Sequence, residues 1–188
     1  STLTADWFEV LELRKDLYCI DEQDHVAFFV LKDGPNALFI DSGLGLVESN
    51  TQKLLDSLGI QKFTVLATHA HCDHSGLNYL ATEVKIYEQE WLKYLKLGEM
   101  NQLDAYYDIL KDQMPWPKEL SQRPIHRAWK PTTFIKEGDK VQFGPWELEA
   151  HFLPGHTIGH LVFIESSKEL VFLGDFAVTG TNYVHLKD

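Results

Sequence analysis

Residues 68–76 read Thr-His-Ala-His-Cys-Asp-His-Ser-Gly, which puts His69, His71, Asp73 and His74 within six consecutive positions. Neutral imidazoles are good zinc ligands, and a carboxylate is a harder ligand that also accepts iron or manganese. His69 and His71 are two apart, so in an extended chain both rings leave the same side. Asp73 and His74 fall where the chain turns and face a second point. Four such groups aimed in two directions suit two ions better than one.

Two later stretches carry residues of the same types. Residues 153–160 read Leu-Pro-Gly-His-Thr-Ile-Gly-His, with His156 between Gly155 and Gly159, whose backbones can approach a metal or ligand closely. Residues 171–176 read Val-Phe-Leu-Gly-Asp-Phe, with Asp175 at the end of an apolar run. Alone, His156 is as readily a loop histidine and Asp175 a cap. Three strand ends bearing ligand-type residues strengthen one another, because a sheet gathers strand ends at one edge.

The elements that must position these residues follow from the apolar pattern. Runs at 7–13, 17–20, 25–31 and 37–40 are apolar or alternating and read as strands. Residues 47–58 have helical spacing, and Gly59 is a natural stop. A buried-type strand at 63–67 leads directly into the histidine-rich segment. A short helix near 77–80, a strand at 84–87 and helices at 91–97 and 103–110 come next. Four prolines make 115–131 irregular. Strands resume at 140–143, 146–152, 161–164 and 170–173. Strands, then helix, then strands again predict a layered α/β sandwich. Residues 1–188 read as a single metallo-hydrolase domain, with 91–130 as a helical lid insertion whose aromatics (Trp91, Tyr94, Tyr106, Tyr107, Trp116, Trp129) fit core more readily than pocket.

The formal charge of −11, from 28 acidic and 17 basic residues, repels phosphate backbones and anionic membranes. Nucleic acid and membrane are therefore not expected partners; a small-molecule substrate is, and oligomeric state is left open. No run approaches the length of a membrane span. The first residues lack the basic and apolar segments of a secretory signal, which favours the cytoplasm. Cys19 and Cys72 are the only cysteines, too few for a disulfide framework.

The order His-x-His-x-Asp-His, Gly-His-Thr, Gly-Asp resembles the metallo-β-lactamase superfamily of αββα hydrolases, and Phe-Ile-Asp-Ser-Gly at 39–43 is similar to its first motif. The resemblance implies a four-layer αββα sandwich. It also implies that His69, His71 and His156 hold one metal, that Asp73 and His74 hold another, and that Asp175 bridges the two. Asp73 would be catalytic as well, orienting the nucleophile or shuttling a proton. Asp41 would support the metal loop, with Thr157 a further candidate for fixing an imidazole. The Gly-His-Thr-x-Gly-His form is similar to thioesterase-like members such as hydroxyacylglutathione hydrolases.

The expected activity is hydrolysis of a thioester, ester or lactone by zinc-activated hydroxide, with two zinc ions and with iron or manganese as other metals. The family's last histidine ligand lies on a further strand. Only residues 176–188 follow Asp175, and His185 comes too early to match it, so the C-terminal ligand segment and the last strands and helix are expected to be missing. Two alternatives remain: a mononuclear iron persulfide dioxygenase using His69, His156 and Asp175, and a metal-binding domain without catalysis.

Overall fold

The computed structural model describes residues 2–97, 102–153, 159–174 and 183–185. Five strands open the chain as an antiparallel meander: β1 (Thr2–Ala5), β2 (Phe8–Arg14), β3 (Leu17–Asp21), β4 (Ala27–Asp33) and β5 (Asn36–Ile40). Helix α1 (Glu48–Ser57) then carries the chain back over the sheet, so β6 (Lys62–Leu66) lies parallel to β5. β7 (Glu83–Ile86) and β8 (Thr133–Phe134) extend the parallel part and complete an eight-stranded sheet. Between them run α2 (Glu88–Leu97) and α3 (Gln102–Leu110).

The second sheet is antiparallel and five-stranded, built from β9 (Lys140–Phe143), β10 (Trp146–Phe152), β11 (Leu161–Glu165), β12 (Leu170–Phe172) and β13 (Tyr183–His185). The strands expected at 140–143 and 146–152 occur with those bounds, and the others lie within two residues of expectation. The short helix expected near 77–80 is a single 3-10 turn, Asn78–Leu80. β1, β8 and β13 were not legible in the sequence: they are two to four residues long, too short for a periodic signal.

Period-two alternation sorts the core into two layers. Leu17, Phe29, Leu31, Leu38, Ile40 and Leu66 of the first sheet meet Trp146, Leu148, Ala150, Leu161, Phe163 and Phe172 of the second. The first sheet's opposite face (Val30, Phe39, Phe63 and Val65 among others) packs on Leu54 of α1 and on Trp91 and Tyr94 of α2. Each fully buried side chain of this size contributes about 1.5–3 kcal/mol of transfer free energy. Helix, sheet and sheet therefore form three layers among the described residues. Trp91 stacks on Tyr94, and Trp129 packs at a tilt against both within this core. Among the described residues no helix is long and apolar enough to cross a membrane.

Candidate metal centre

β5, β6 and β7 run parallel, so their C-terminal ends share one edge, where open α/β sheets place their ligands. Asp41 follows β5, residues 67–74 follow β6, and Tyr87 follows β7. In the second sheet β10 and β12 run towards the same edge. β11 starts from it, and its first amide, Leu161 N–H, donates to Thr68 O at 2.8 Å. Leu153 N–H donates to His160 O at 2.9 Å, closing the loop between β10 and β11 at its base.

The histidine-rich segment leaves β6 extended and turns at once. His74 N–H donates to His71 O at 3.0 Å, and Ser75 Oγ donates to the same carbonyl. This turn folds the rings together. His69 lies with its ring centroid 4.7 Å from that of His71, 4.3 Å from that of His74 and 5.0 Å from that of His160. His69, His74 and His160 are buried, His71 half-buried. Asp73 Oδ2 stands 3.7 Å from His74 Nε2, with about a quarter of its side chain exposed (26%). The structure thus brings together His69, His71, Asp73 and His74. His156, Thr157 and Asp175 lie outside the described residues.

Asp41 is the group that orients the rings. Its φ of 63° places a non-glycine residue in the left-handed region, which Asp tolerates better than most and which is common at functional sites. Oδ1 accepts from Thr68 N–H at 2.8 Å. Oδ2 accepts from Thr68 Oγ1 at 2.7 Å and from His74 Nδ1 at 3.1 Å. Thr68 Oγ1 also lies 2.8 Å from His69 Nδ1. A hydroxyl has one proton, and Thr68 gives it to the carboxylate, so His69 Nδ1 must be the donor to Thr68 Oγ1. Both His69 and His74 are thereby held as Nδ1–H tautomers, the arrangement metal-binding histidines use.

One oxygen of Asp41 and one nitrogen each of His69 and His74 lie within 4.8 Å of one another. Both Asp41 oxygens are already engaged by these three donors, so Asp41 aligns the two rings rather than offering a free oxygen of its own. A donor set of imidazoles with a partly exposed carboxylate fits a divalent cation of the zinc type.

Of two further neighbours, Glu22 was not visible in the sequence and Tyr106 was named there only among the aromatics of 91–130. Glu22 is fully buried and accepts from Trp7 Nε1 at 2.9 Å and from Leu44 N–H at 2.8 Å; burial pushes its carboxyl up to about 7. Tyr106 of α3 hydrogen-bonds His25 Nδ1 at 2.8 Å and packs with Leu44, Cys72 and Leu103. Burial, then the nearby Asp73 charge, raises its phenol above the ordinary range. Gly174, one residue before Asp175, has φ +60°, and a Cβ there would lie 2.6 Å from His160 Nε2 and 2.8 Å from Thr68 Oγ1. The third motif therefore abuts the first.

Two stacked sheets with helices outside, and a histidine cluster at the strand ends, define the class of αββα metallo-hydrolase folds. Residues 22–187 match the profile of the metallo-beta-lactamase superfamily, and the chain belongs to that superfamily. Its relatives include the acyl-coenzyme A thioesterase MBLAC2 of Gallus gallus, 24% identical, with 94% of this chain and 68% of that protein aligned. The hydroxyacylglutathione hydrolase GloC of Haemophilus influenzae is 30% identical over 79% of this chain and 64% of its own length. Among solved structures, a metallo-beta-lactamase family protein from Thermus thermophilus superposes with a TM-score of 0.63 at 22% identity, covering 91% of this chain and 63% of that one. The chain spans about two thirds of the length of each of these three proteins.

Proposed function

We propose that this chain is the metal-binding part of a hydrolase that cleaves a thioester or related ester carbonyl. The observation that carries the reading is the paired tautomer lock: one buried carboxylate, Asp41, directly and through Thr68, fixes the Nδ1 side of two histidine rings whose centroids lie 4.3 Å apart. In this reading His69, His71, Asp73, His74, His156 and Asp175 would hold the zinc, with two ions shared among these six side chains. Bound zinc supplies Lewis acidity, lowering the proton affinity of water towards neutral pH and polarising a carbonyl. Asp73, the partly exposed carboxylate of the cluster, would orient a water at the site and accept its proton. His69 and His74, fixed through Thr68 and Asp41, hold their positions without reorganisation as charge develops. The thioester preference rests on the Gly-His-Thr-x-Gly-His form and on the names of the two relatives, a thioesterase and a hydroxyacylglutathione hydrolase.

The test is metal content by inductively coupled plasma mass spectrometry, followed by assay against acyl-coenzyme A, hydroxyacylglutathione and lactone substrates. About two zinc ions per chain, with thioester turnover lost on Asp73→Ala, is the expected result. A folded chain that takes up no zinc, iron or manganese would overturn the reading. One iron with oxygen uptake would replace it with the dioxygenase.

A further inference from the structure

Glu90 lies in the first turn of α2 and is buried, 3% exposed, although its side chain is a carboxylate and no lysine or arginine among the described residues forms an ion pair with it. Its two oxygens divide between two loops. Oε1 accepts from Ala70 N–H at 3.2 Å, the amide between His69 and His71. Oε2 accepts from Gly159 N–H at 3.2 Å, in the loop that carries His156. The approach at Gly159 is close enough that a Cβ there would sit 2.7 Å from Glu90 Cβ, so only glycine lets the helix come this near. Neither amide has a sheet partner, because β6 has ended and β11 has not begun.

We infer that Glu90 is a positioning residue that clamps the loop after β6 and the loop before β11 to α2 and to each other, fixing the backbone at Ala70 relative to that at Gly159. The inference rests on the metal reading above only for its consequence, not for its geometry. A bridging carboxylate has two acceptor atoms, and no other side-chain type offers both at this spacing without bringing a donor. Glutamine would set an NH2 group against one of the two amides. Aspartate keeps both acceptors but, a methylene shorter, cannot reach both loops.

The test uses Glu90→Gln and Glu90→Asp in the full chain, with two readouts. In metal-free protein, hydrogen exchange at Ala70 and Gly159 should accelerate at least about tenfold in Glu90→Gln, while amides in β4 and β5 keep their protection. Zinc affinity, measured by chelator competition, should fall about 10–100-fold in both variants, as for other groups that support metal ligands. In a His156→Ala background the same Glu90→Gln change should have little effect on zinc affinity, because the second loop then has no ligand to deliver. A merely structural glutamate would cost the same in both backgrounds, and that result would overturn the clamp. Unchanged exchange at both amides would overturn it equally. Faster exchange at both amides in a chain whose parent binds no metal would uphold the clamp and sink the metal reading instead. Should Glu90→Gln fail to fold, Glu90→Asp carries the same comparison with the charge retained.

Discussion

Asp41→Asn is the sharpest perturbation of the candidate metal centre, because it changes one atom and reverses a proton network. The amide NH2 can replace Oδ2, facing Thr68 Oγ1 and His74 Nδ1. Thr68 must then accept from the amide and send its own proton to His69 Nδ1. His69 becomes the Nε2–H tautomer, and so does His74. Restoring both lone pairs in that orientation forfeits two hydrogen bonds to a charged group, about 1.5–3 kcal/mol each. The amide has a cheaper escape: it can flip, keep an oxygen towards the rings, and set its NH2 against Thr68 N–H. That leaves Thr68 N–H and the amide NH2 facing each other with no acceptor between them, a cost of at least about 1–3 kcal/mol. The smaller figure governs, so zinc affinity should fall about 10–100-fold, since 1.4 kcal/mol is a factor of ten. Two assays check this: chelator competition for zinc, and long-range proton–nitrogen correlation spectra of the metal-free chain, which read each histidine tautomer directly. The parent should show Nδ1–H at His69 and His74. A variant that binds zinc within about threefold of the parent, with both tautomers unchanged and no loss of stability, would refute the reasoning.

Four further outcomes follow from the same geometry. Thr68→Val removes the hydroxyl's bonds to Asp41 and His69 but leaves the bond between Asp41 and His74, so its zinc affinity should fall while His74 keeps its tautomer in the same spectra. Glu22 has its carboxyl raised to about 7 in the folded chain, above the ordinary 4.5, so the folded state binds the extra proton between these values. Stability should therefore decline as pH rises from about 4.5 to about 7, by up to about 3 kcal/mol, and a melting series should find that slope flattened in Glu22→Gln. Gly174→Ala combines left-handed strain with a clash against His160 and Thr68, about 2–4 kcal/mol together; at this chain length the melting temperature should drop by roughly 5–15 °C. Phe39→Ala opens the core where Phe39 stacks on Phe63 at 4.3 Å between centroids, and should cost about 3–5 kcal/mol in a denaturant titration.

The strands, α1 and the histidine-rich turn were legible because their signals are local: alternation, a 3.6-residue period, and ligand types packed into six positions. Asp41 was legible only through the family's first motif, and its role through Thr68 required geometry. Its contacts cross 27 positions to Thr68 and 33 to His74. Glu22 and Glu90 were not legible at all. Each looks like an ordinary surface glutamate in sequence, and its partners lie 22 positions away at Leu44 and 69 at Gly159. Among the aromatics of 91–130, the helical spacing of Trp91 and Tyr94 anticipated core. Nothing local announced that Tyr106 and Trp116 gather around His25.

Asp41, Glu22 and Glu90 share a physical logic that explains why three carboxylates sit buried beside the candidate centre. Where β5 and β6 end, the chain continues as loops whose amides have lost their ladder partners. A buried N–H left without an acceptor is costly, and water cannot reach these sites. Asp41 serves the amide of Thr68, Glu22 that of Leu44, and Glu90 those of Ala70 and Gly159. Carboxylates suit this task better than amides because each oxygen accepts without adding a donor that must itself be satisfied. The loops are thereby held by side chains reaching in from the end of β5, from the loop between β3 and β4, and from α2. Because these acceptors act on backbone rather than on a cation, the histidine rings are ordered before any metal arrives. Binding then need not be weakened by the cost of folding the loops around it.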